Sequence, residues 1–409
     1  MADDLGSSPK VPQSIIEVTA FMPEARRDPH PPLKALREQC PAMRDEMAKA
    51  WFLTRYGDVR TTVNDRSFVR HPLNAEEGSI SRQLVDEENP RRTSILFMDD
   101  PDHARVRPPL AKAFYARINK MKDQIEAIVD ETIDAAPASG VFDLMADIAV
   151  PIPVTVIARI LGVDEERLAE FRDWSEAVIL GLNPVRTPEE TERMMSGGAA
   201  LDAYFTELME RRRKVPEDDL ITDMVQLQAS GEAPLSDDEV RINLQALLVG
   251  GNLTTTDLIG NGVWLFLTHP EQLAALKSDP GLASQAVEEV LRYEAPVSAT
   301  SRIAEADKQV AGCPVKEHQV IFCSLASANR DAEIFDAPNR FDITQKRPSH
   351  VAFGGGPHIC IGAPLARMEA KRVYQKLFER YPDMKLPEQD IAWRALPFFR
   401  GIETLMVEV

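Results

Sequence analysis

Between Pro364 and Tyr381, apolar side chains at Ala366, Ala370, Val373, Leu377 and Tyr381 recur every three or four residues, a stripe that predicts one face of an amphipathic helix. A helical pattern also dominates from about Asp102 to Pro280, punctuated by Pro151, Gly162, Pro184, Gly197-Gly198, Pro216 and Gly231. Pro270 is preset for a first helical turn that Gln272–Lys277 continues, and Leu282 to Tyr293 predicts a further helix closed by Pro296. Extended stretches are short: Trp51–Tyr56 just before Gly57, and Gln319–Cys323. From Asn329 to Gly362 neither period holds, and a run of that kind inside a compact chain is more often functional than idle. The pattern predicts a mainly α body with minor sheet.

Composition narrows the class. The 409 residues suggest two or three domains or one large enzyme, and 44% hydrophobic with 27% charged side chains is the balance of a globular protein with a sizeable core. An excess of 65 acidic over 47 basic residues, net −18, argues against nucleic acid or an anionic membrane as the main partner. The best membrane candidate, Leu244 to Leu267, carries Gln245, Asn252, Asp257 and Asn261 and reads better as a buried helix. The first ten residues, MADDLGSSPK, show no secretory signal. Cys40, Cys313, Cys323 and Cys360 have no metal-type spacing, which fits a reducing cytoplasm.

One cysteine stands apart. Phe353-Gly354-Gly355-Gly356-Pro357-His358-Ile359-Cys360-Ile361-Gly362 runs straight into the Pro364 helix. Consecutive glycines allow backbone shapes that side chains forbid. A thiol beside a helix start meets unpaired N–H groups and the positive end of the dipole, which favour thiolate. Such a group is an axial metal ligand or a nucleophile; a buried structural cysteine is the plain alternative.

This segment resembles the cysteine loop of the cytochrome P450 superfamily, Phe-Gly-x-Gly-x-His-x-Cys-x-Gly, at every fixed position, and Ala363 to Arg367 (APLAR) continues it. The resemblance spans at least residues 100–405 and is to the soluble bacterial type. It implies a helical body at approximately 100–293 and 364–381, β-rich subregions at approximately 40–70 and 295–345, a single heme domain over 21–409 and a polar tail over 1–20. It also implies heme b (iron protoporphyrin IX) with Cys360 as the iron ligand, and Phe353, Gly354, Gly362 and the loop amides around it.

Other segments agree with the resemblance. Glu289-Val290-Leu291-Arg292 puts two charges on one helix face, and with Arg340 of Asn339-Arg340-Phe341 it resembles the family's structural Glu-Arg-Arg triad. His103 and Arg107 resemble a His-x-x-x-Arg pair for the heme propionates, joined by Arg302 and His358. Pro108-Pro109 directly after Arg107 predicts a kink or a fresh helix start, which puts Arg107 in question. Leu247–Thr255 resembles the oxygen-activating helix: Gly250 and Gly251 allow close approach, and Thr254, with Thr255 and Asn252 as further candidates, would hydrogen-bond oxygen and relay protons. The family's acid position is Leu253, so the proton route through water, Thr255, Asn252 or Asp257 stays open. Leu247, Val249, Val297, Ser298, Ala299 and Phe398 are the candidate pocket residues, with Ile95–Phe97 and Val178–Leu182 beside them.

The implied function is monooxygenation of a small to medium apolar substrate, by hydroxylation or oxidative dealkylation. No nicotinamide or flavin fingerprint is present, so electrons are expected from a separate ferredoxin and its reductase. Arg105, Lys112, Arg367, Lys371 and Arg372 are the expected docking patch. A cytoplasmic monomer is expected. The competing readings are a peroxide-driven heme-thiolate oxygenase and a non-catalytic heme sensor.

Overall fold

The computed structural model describes residues 11–84, 93–183, 186–231 and 235–409; Pro184 and the first half of the expected tail lie outside them. The chain opens with α1 (Pro23–Arg27), α2 (His30–Gln39), the hairpin β1 (Ala42–Asp45) and β2 (Ala50–Leu53), α3 (Tyr56–Asn64) and β3 (Phe68–Val69). The run from Trp51 to Tyr56 is therefore divided: the strand stops at Leu53, and Tyr56 begins α3.

A helical body follows: α4 (Asp102–Lys120), α5 (Lys122–Ala135), strand β4 (Val141–Asp143), α6 (Pro151–Leu161), α7 (Leu168–Ile179), α8 (Pro188–Lys214), α9 (Leu220–Ser230), α10 (Asp237–Thr268), α11 (Pro270–Ser278) and α12 (Ala283–Tyr293). Then come β5 (Ala299–Ala304), β6 (Lys308–Val310), β7 (Cys313–Val315), β8 (Val320–Ser324) and α13 (Leu325–Ala328). After a long irregular stretch the chain ends with α14 (Ala363–Arg380), β9 (Ala392–Trp393), β10 (Ile402–Thr404) and β11 (Met406–Glu408). The main sheet has the order β1-β2-β8-β5-β3, with β2 and β8 parallel and the other pairs antiparallel. One continuous apolar core joins the helical body to the C-terminal segments, and two smaller cores sit under the sheet.

The caps explain where helices start and stop. Ser236 and Glu239 close a capping box at the start of α10, and Thr187 with Glu190 does the same for α8. Gly162 and Gly231 end α6 and α9 in the left-handed region. Two expectations fail. Gly197-Gly198 lies inside α8 rather than ending a helix; a side chain at 197 would press on Ala177 at 2.5 Å, so glycine serves the close crossing of α7 and α8. Pro108-Pro109 lies inside a continuous α4, with no fresh start. The buried stripe Val106, Leu110, Phe114 holds the helix together, while Pro108 and Ala104, whose carbonyl loses its donor, face outward where water can serve it.

The longest helix, α10, is buried around most of its circumference and packs on α6, α7, α8, α12 and α14. At its crossing with α14 the Tyr374 hydroxyl donates to the Leu258 carbonyl at 2.6 Å, and any side chain at Gly262 would collide with that phenol. Among the described residues no helix is long and apolar enough to cross a membrane.

Candidate active site

The cysteine loop is shaped by its glycines and pressed against the end of α3. Gly354 and Gly356 take φ of +68° and +63°, which side chains resist. A Cβ at Gly356 would lie 2.5 Å from the Val63 carbonyl oxygen, and one at Gly355 2.8 Å from the Val63 side chain. The Gly356 N–H donates to Asn64 Oδ1 at 2.8 Å, and the Cys360 N–H returns to the Phe353 carbonyl at 3.0 Å. The Arg367 guanidinium stacks 4.5 Å over the Phe353 ring and donates to both Glu288 oxygens, at 2.6 and 2.9 Å.

Cys360 is a free and accessible thiol. Burial nevertheless pushes its pKa up, so the space it opens onto lies within the fold. The N–H groups of Gly362 and Ala363 and the guanidiniums of Arg107 and Arg367 pull the other way. The expectation that the helix start alone lowers this thiol is therefore corrected: desolvation outweighs the dipole in the protein by itself. A bound metal cation would supply what the amides lack.

Beside the loop, the guanidiniums of Arg70, Arg107 and Arg302 gather around two histidines, one of which, His103, lies 3.9 Å from Asp100. His103 and His358 place their rings 4.2 Å apart, and His103 Nε2 and His358 Nδ1 are buried with no partner. Burial, then Arg70, His103, Arg302 and Arg107, pushes His358 down to about 2. Arg107 donates to the Ile359 carbonyl at 2.5 Å, so the helix that continues through Pro108 still delivers it to the loop. Arg302 donates to the carbonyls of Val63, at 2.8 Å, and Gly355, at 3.3 Å. Arg70, which the sequence reading missed, sits just beyond β3, is buried, and has an unpartnered Nε. Its only local signal is a cation between Val69 and Pro72, which is indistinguishable from a surface arginine.

The buttress behind the loop differs from the expected triad in one member. Glu289 accepts both arms of Arg292, at 2.7 and 2.8 Å, but its second cation is Arg347, 3.0 Å away and buried. The Arg340 side chain is 68% exposed and pairs with Asp342 at 3.3 Å; to the cluster it contributes its carbonyl, which accepts from Arg292 and Arg347. Both arginines lie in the irregular run, and sequence alone could not tell which one turns inward. Through Arg292 to the carbonyls of Asn329 and Pro338, and from Asn329 Oδ1 to the Val351 N–H, the cluster fixes the segment that leads into the cysteine loop.

On α10 the candidates separate. Gly250 is exposed, and a side chain there would meet nothing within 4 Å, although it lies mid-way along the longest buried helix. The half-buried Thr254 hydroxyl donates to the Gly250 carbonyl at 2.7 Å. Gly251 faces Ile157 of α6, Thr255 is buried, and the Asn252 amide donates to Ser175 on α7 at 2.8 Å, so Asn252 ties helices together rather than joining Thr254. Asp257 is fully buried and paired with Arg394 at 3.1 Å; burial, against that partner, lifts its carboxyl to about 6.

Three of the pocket candidates line one small cavity. Ser298, Ala299 and Phe398 line a small space of about 30 Å³ with Thr19, Leu33 and Phe52, whereas Leu247 and Val249 are absent from its lining. Val297 bridges Phe399, and the Ile95 N–H donates to Asn243 of α10 at 2.8 Å. Of the expected docking cations, Arg105 is paired with Glu239 and Asp102, Arg367 with Glu288 and Arg372 with Asp130, which leaves Lys112 and Lys371 as the exposed lysines.

A sequence model described as Cytochrome P450 matches residues 281–396, the span holding α12, the buttress and the cysteine loop. Cytochrome P450 107B1 of Saccharopolyspora erythraea is 36% identical over 404 residues, covering 96% of this chain and 97% of that one. The chain belongs to the cytochrome P450 family. 6-Deoxyerythronolide B hydroxylase of the same organism is 33% identical over 369 residues, 88% of this chain and 90% of that protein. The solved structure of the cytochrome P450 CYP109Q5 from Chondromyces apiculatus superposes with a TM-score of 0.86 at 33% identity, covering 96% and 98% of the two chains. The chain is thus a heme-iron monooxygenase of mainly α fold, as the cysteine loop implied.

Proposed function

We propose that this P450 holds heme b through Cys360 and uses ferredoxin-borne electrons to place one oxygen atom of O₂ in an apolar substrate, the other leaving as water. The observation that carries the reading is the accessible thiol at the start of α14, with amide donors behind it and a cluster of unpartnered imidazole and guanidinium donors beside it. These residues fit an iron porphyrin with carboxylate arms: a soft thiolate ligand for the metal, charge-assisted donors for the propionates. When bound, the iron supplies the oxygen chemistry. The chain's own work is to orient the ring through His103, Arg107, Arg302 and His358, to hold the thiolate through the loop, and to present the Thr254 hydroxyl beside the opening at Gly250.

The scarcity of charge at Leu247, Val249, Val297 and Ala299 favours an apolar substrate, and one relative is by name a hydroxylase of 6-deoxyerythronolide B. The purified protein should show the thiolate-type spectrum with carbon monoxide, bind apolar ligands with a spin-state change, and incorporate label from ¹⁸O₂ only with ferredoxin, reductase and NAD(P)H. A carbon monoxide spectrum of the imidazole type would reject the ligand assignment. Peroxide-driven oxygenation is the second reading, favoured by Leu253 at the usual acid position and by Asn252 being tied to Ser175. It predicts faster product formation with hydrogen peroxide than with the ferredoxin system.

A further inference from the structure

Arg70 belongs to no motif, yet its surroundings are hard to explain without an anion. The side chain is 92% buried, being 8% exposed, and its Nε has no hydrogen-bond partner. Its guanidinium lies 5.9 Å over the Phe97 ring and within electrostatic reach of a second buried guanidinium, Arg302, as well as His103 and His358. An acid that faces this group is Asp99, and its oxygens are taken by the main-chain N–H groups of Arg70, at 2.7 Å, and His71, at 2.9 Å, and by the Asn74 amide, at 3.2 Å. Among the described residues no carboxylate forms an ion pair with Arg70 or Arg302. Removing a charge from water without a partner costs several kcal/mol, and buried cations are accordingly paired in folded proteins. Burial first, and Arg302 second, push the Arg70 guanidinium down to about 9, which measures the same strain.

We infer that Arg70 is a cofactor-binding residue that donates to a carboxylate held between it, Arg302 and the His103–His358 pair, namely a heme propionate. The inference rests on the heme reading above and adds a donor that the sequence motifs do not contain. The anchor at Asp99 explains how the side chain is aimed: the main chain of Arg70 and His71 is clamped to that carboxylate, so the guanidinium is delivered from the β3 side while His103 and Arg107 arrive from α4. The cluster then receives its anion from opposite walls.

The test compares Arg70→Gln and Arg70→Lys with the parent holoenzyme, by the rate of heme transfer to excess apomyoglobin and by the midpoint potential of the iron. Loss of one charge-assisted hydrogen bond should speed transfer about tenfold in the glutamine variant. It should also lower the potential, because a cation that compensates the propionate has gone. The lysine variant should move both readouts less, in the same direction, and it carries the test should the glutamine variant not fold. The thiolate spectrum with carbon monoxide should be unchanged in both. Transfer and potential equal to the parent's would overturn the assignment while leaving the heme reading intact. Unchanged transfer combined with weaker binding of carboxylate-bearing ligands, but not of their neutral analogues, would also overturn it and give Arg70 to the substrate instead. A parent protein without a thiolate-heme spectrum would defeat the reading on which the inference rests.

Discussion

The cysteine loop and the central helix α10 are proposed to serve the same reaction, and they are constrained in different ways. In the loop almost every position is set by backbone geometry: Gly356 by its positive φ and the Val63 carbonyl, Gly355 by the Val63 side chain, Cys360 by the turn back to Phe353. On α10 the positions proposed to meet the cofactor are set by the absence of neighbours. Gly250 has open space before it and Thr254 is half-buried, while the residues around them pack elsewhere. A surface that must fit itself allows little variation, whereas one that must fit a substrate varies. The loop accordingly matches the family at every fixed position, whereas α10 departs at the buried Leu253.

The contrast can be broken at its strongest point. Cys360→Ser should abolish ferredoxin-driven turnover and the thiolate-type carbon monoxide spectrum, while leaving far-ultraviolet circular dichroism unchanged. The buttress gives the next largest effect. Arg347→Ala leaves Glu289 with one of its two cations in a buried setting and should cost about 3–5 kcal/mol in urea denaturation. Arg340→Ala removes an exposed side chain and should stay within about 0.5 kcal/mol. Equal losses at both positions would restore Arg340 to the triad.

On α10, Asp257 makes stability depend on pH in a defined direction. Its folded carboxyl is lifted to about 6, above the value near 4 of an unfolded chain, so the folded state holds the proton more tightly. Its contribution is intact below about pH 4 and eroded as pH rises to about 6. Asp257→Asn should therefore unfold less readily than the parent at pH 7, by up to about 3 kcal/mol, with the difference fading towards pH 4. A constant difference across that range in denaturant titrations would contradict the assignment. A further contrast comes from one substitution made twice. Gly356→Ala should destabilise by about 2 kcal/mol through its positive φ and the contact with Val63. Gly250→Ala, with nothing near its new methyl, should stabilise the helix by about 1 kcal/mol in thermal unfolding.

What could be read in advance follows the same division. The loop, the ExxR pair and the helix starts at Pro270 and close to Pro364 are local patterns, and local patterns survive folding. The continuity of α4 through Pro108 was not legible, because the apolar stripe that sustains it is satisfied only by partners distant in sequence. Nor were Arg70 and Arg347: each is a single cation whose meaning depends on what lies opposite, and nothing within a few residues of either reports it. The side of α10 that holds Asn252 was placed correctly away from Thr254 by helical geometry, but its bond to Ser175 needed α7 in position.

The crossing of α10 and α14 carries a consequence for how this enzyme can diversify. Gly262 lies against the Tyr374 phenol, whose hydroxyl is fastened to Leu258, so the two rods are spaced by a single oxygen atom and admit no thicker shim. α14 leaves the thiol-bearing loop and α10 carries Thr254, so that contact fixes the distance at which the two helices hold them. A bulkier side chain at Gly262 or Tyr374 would therefore disturb both helices at once.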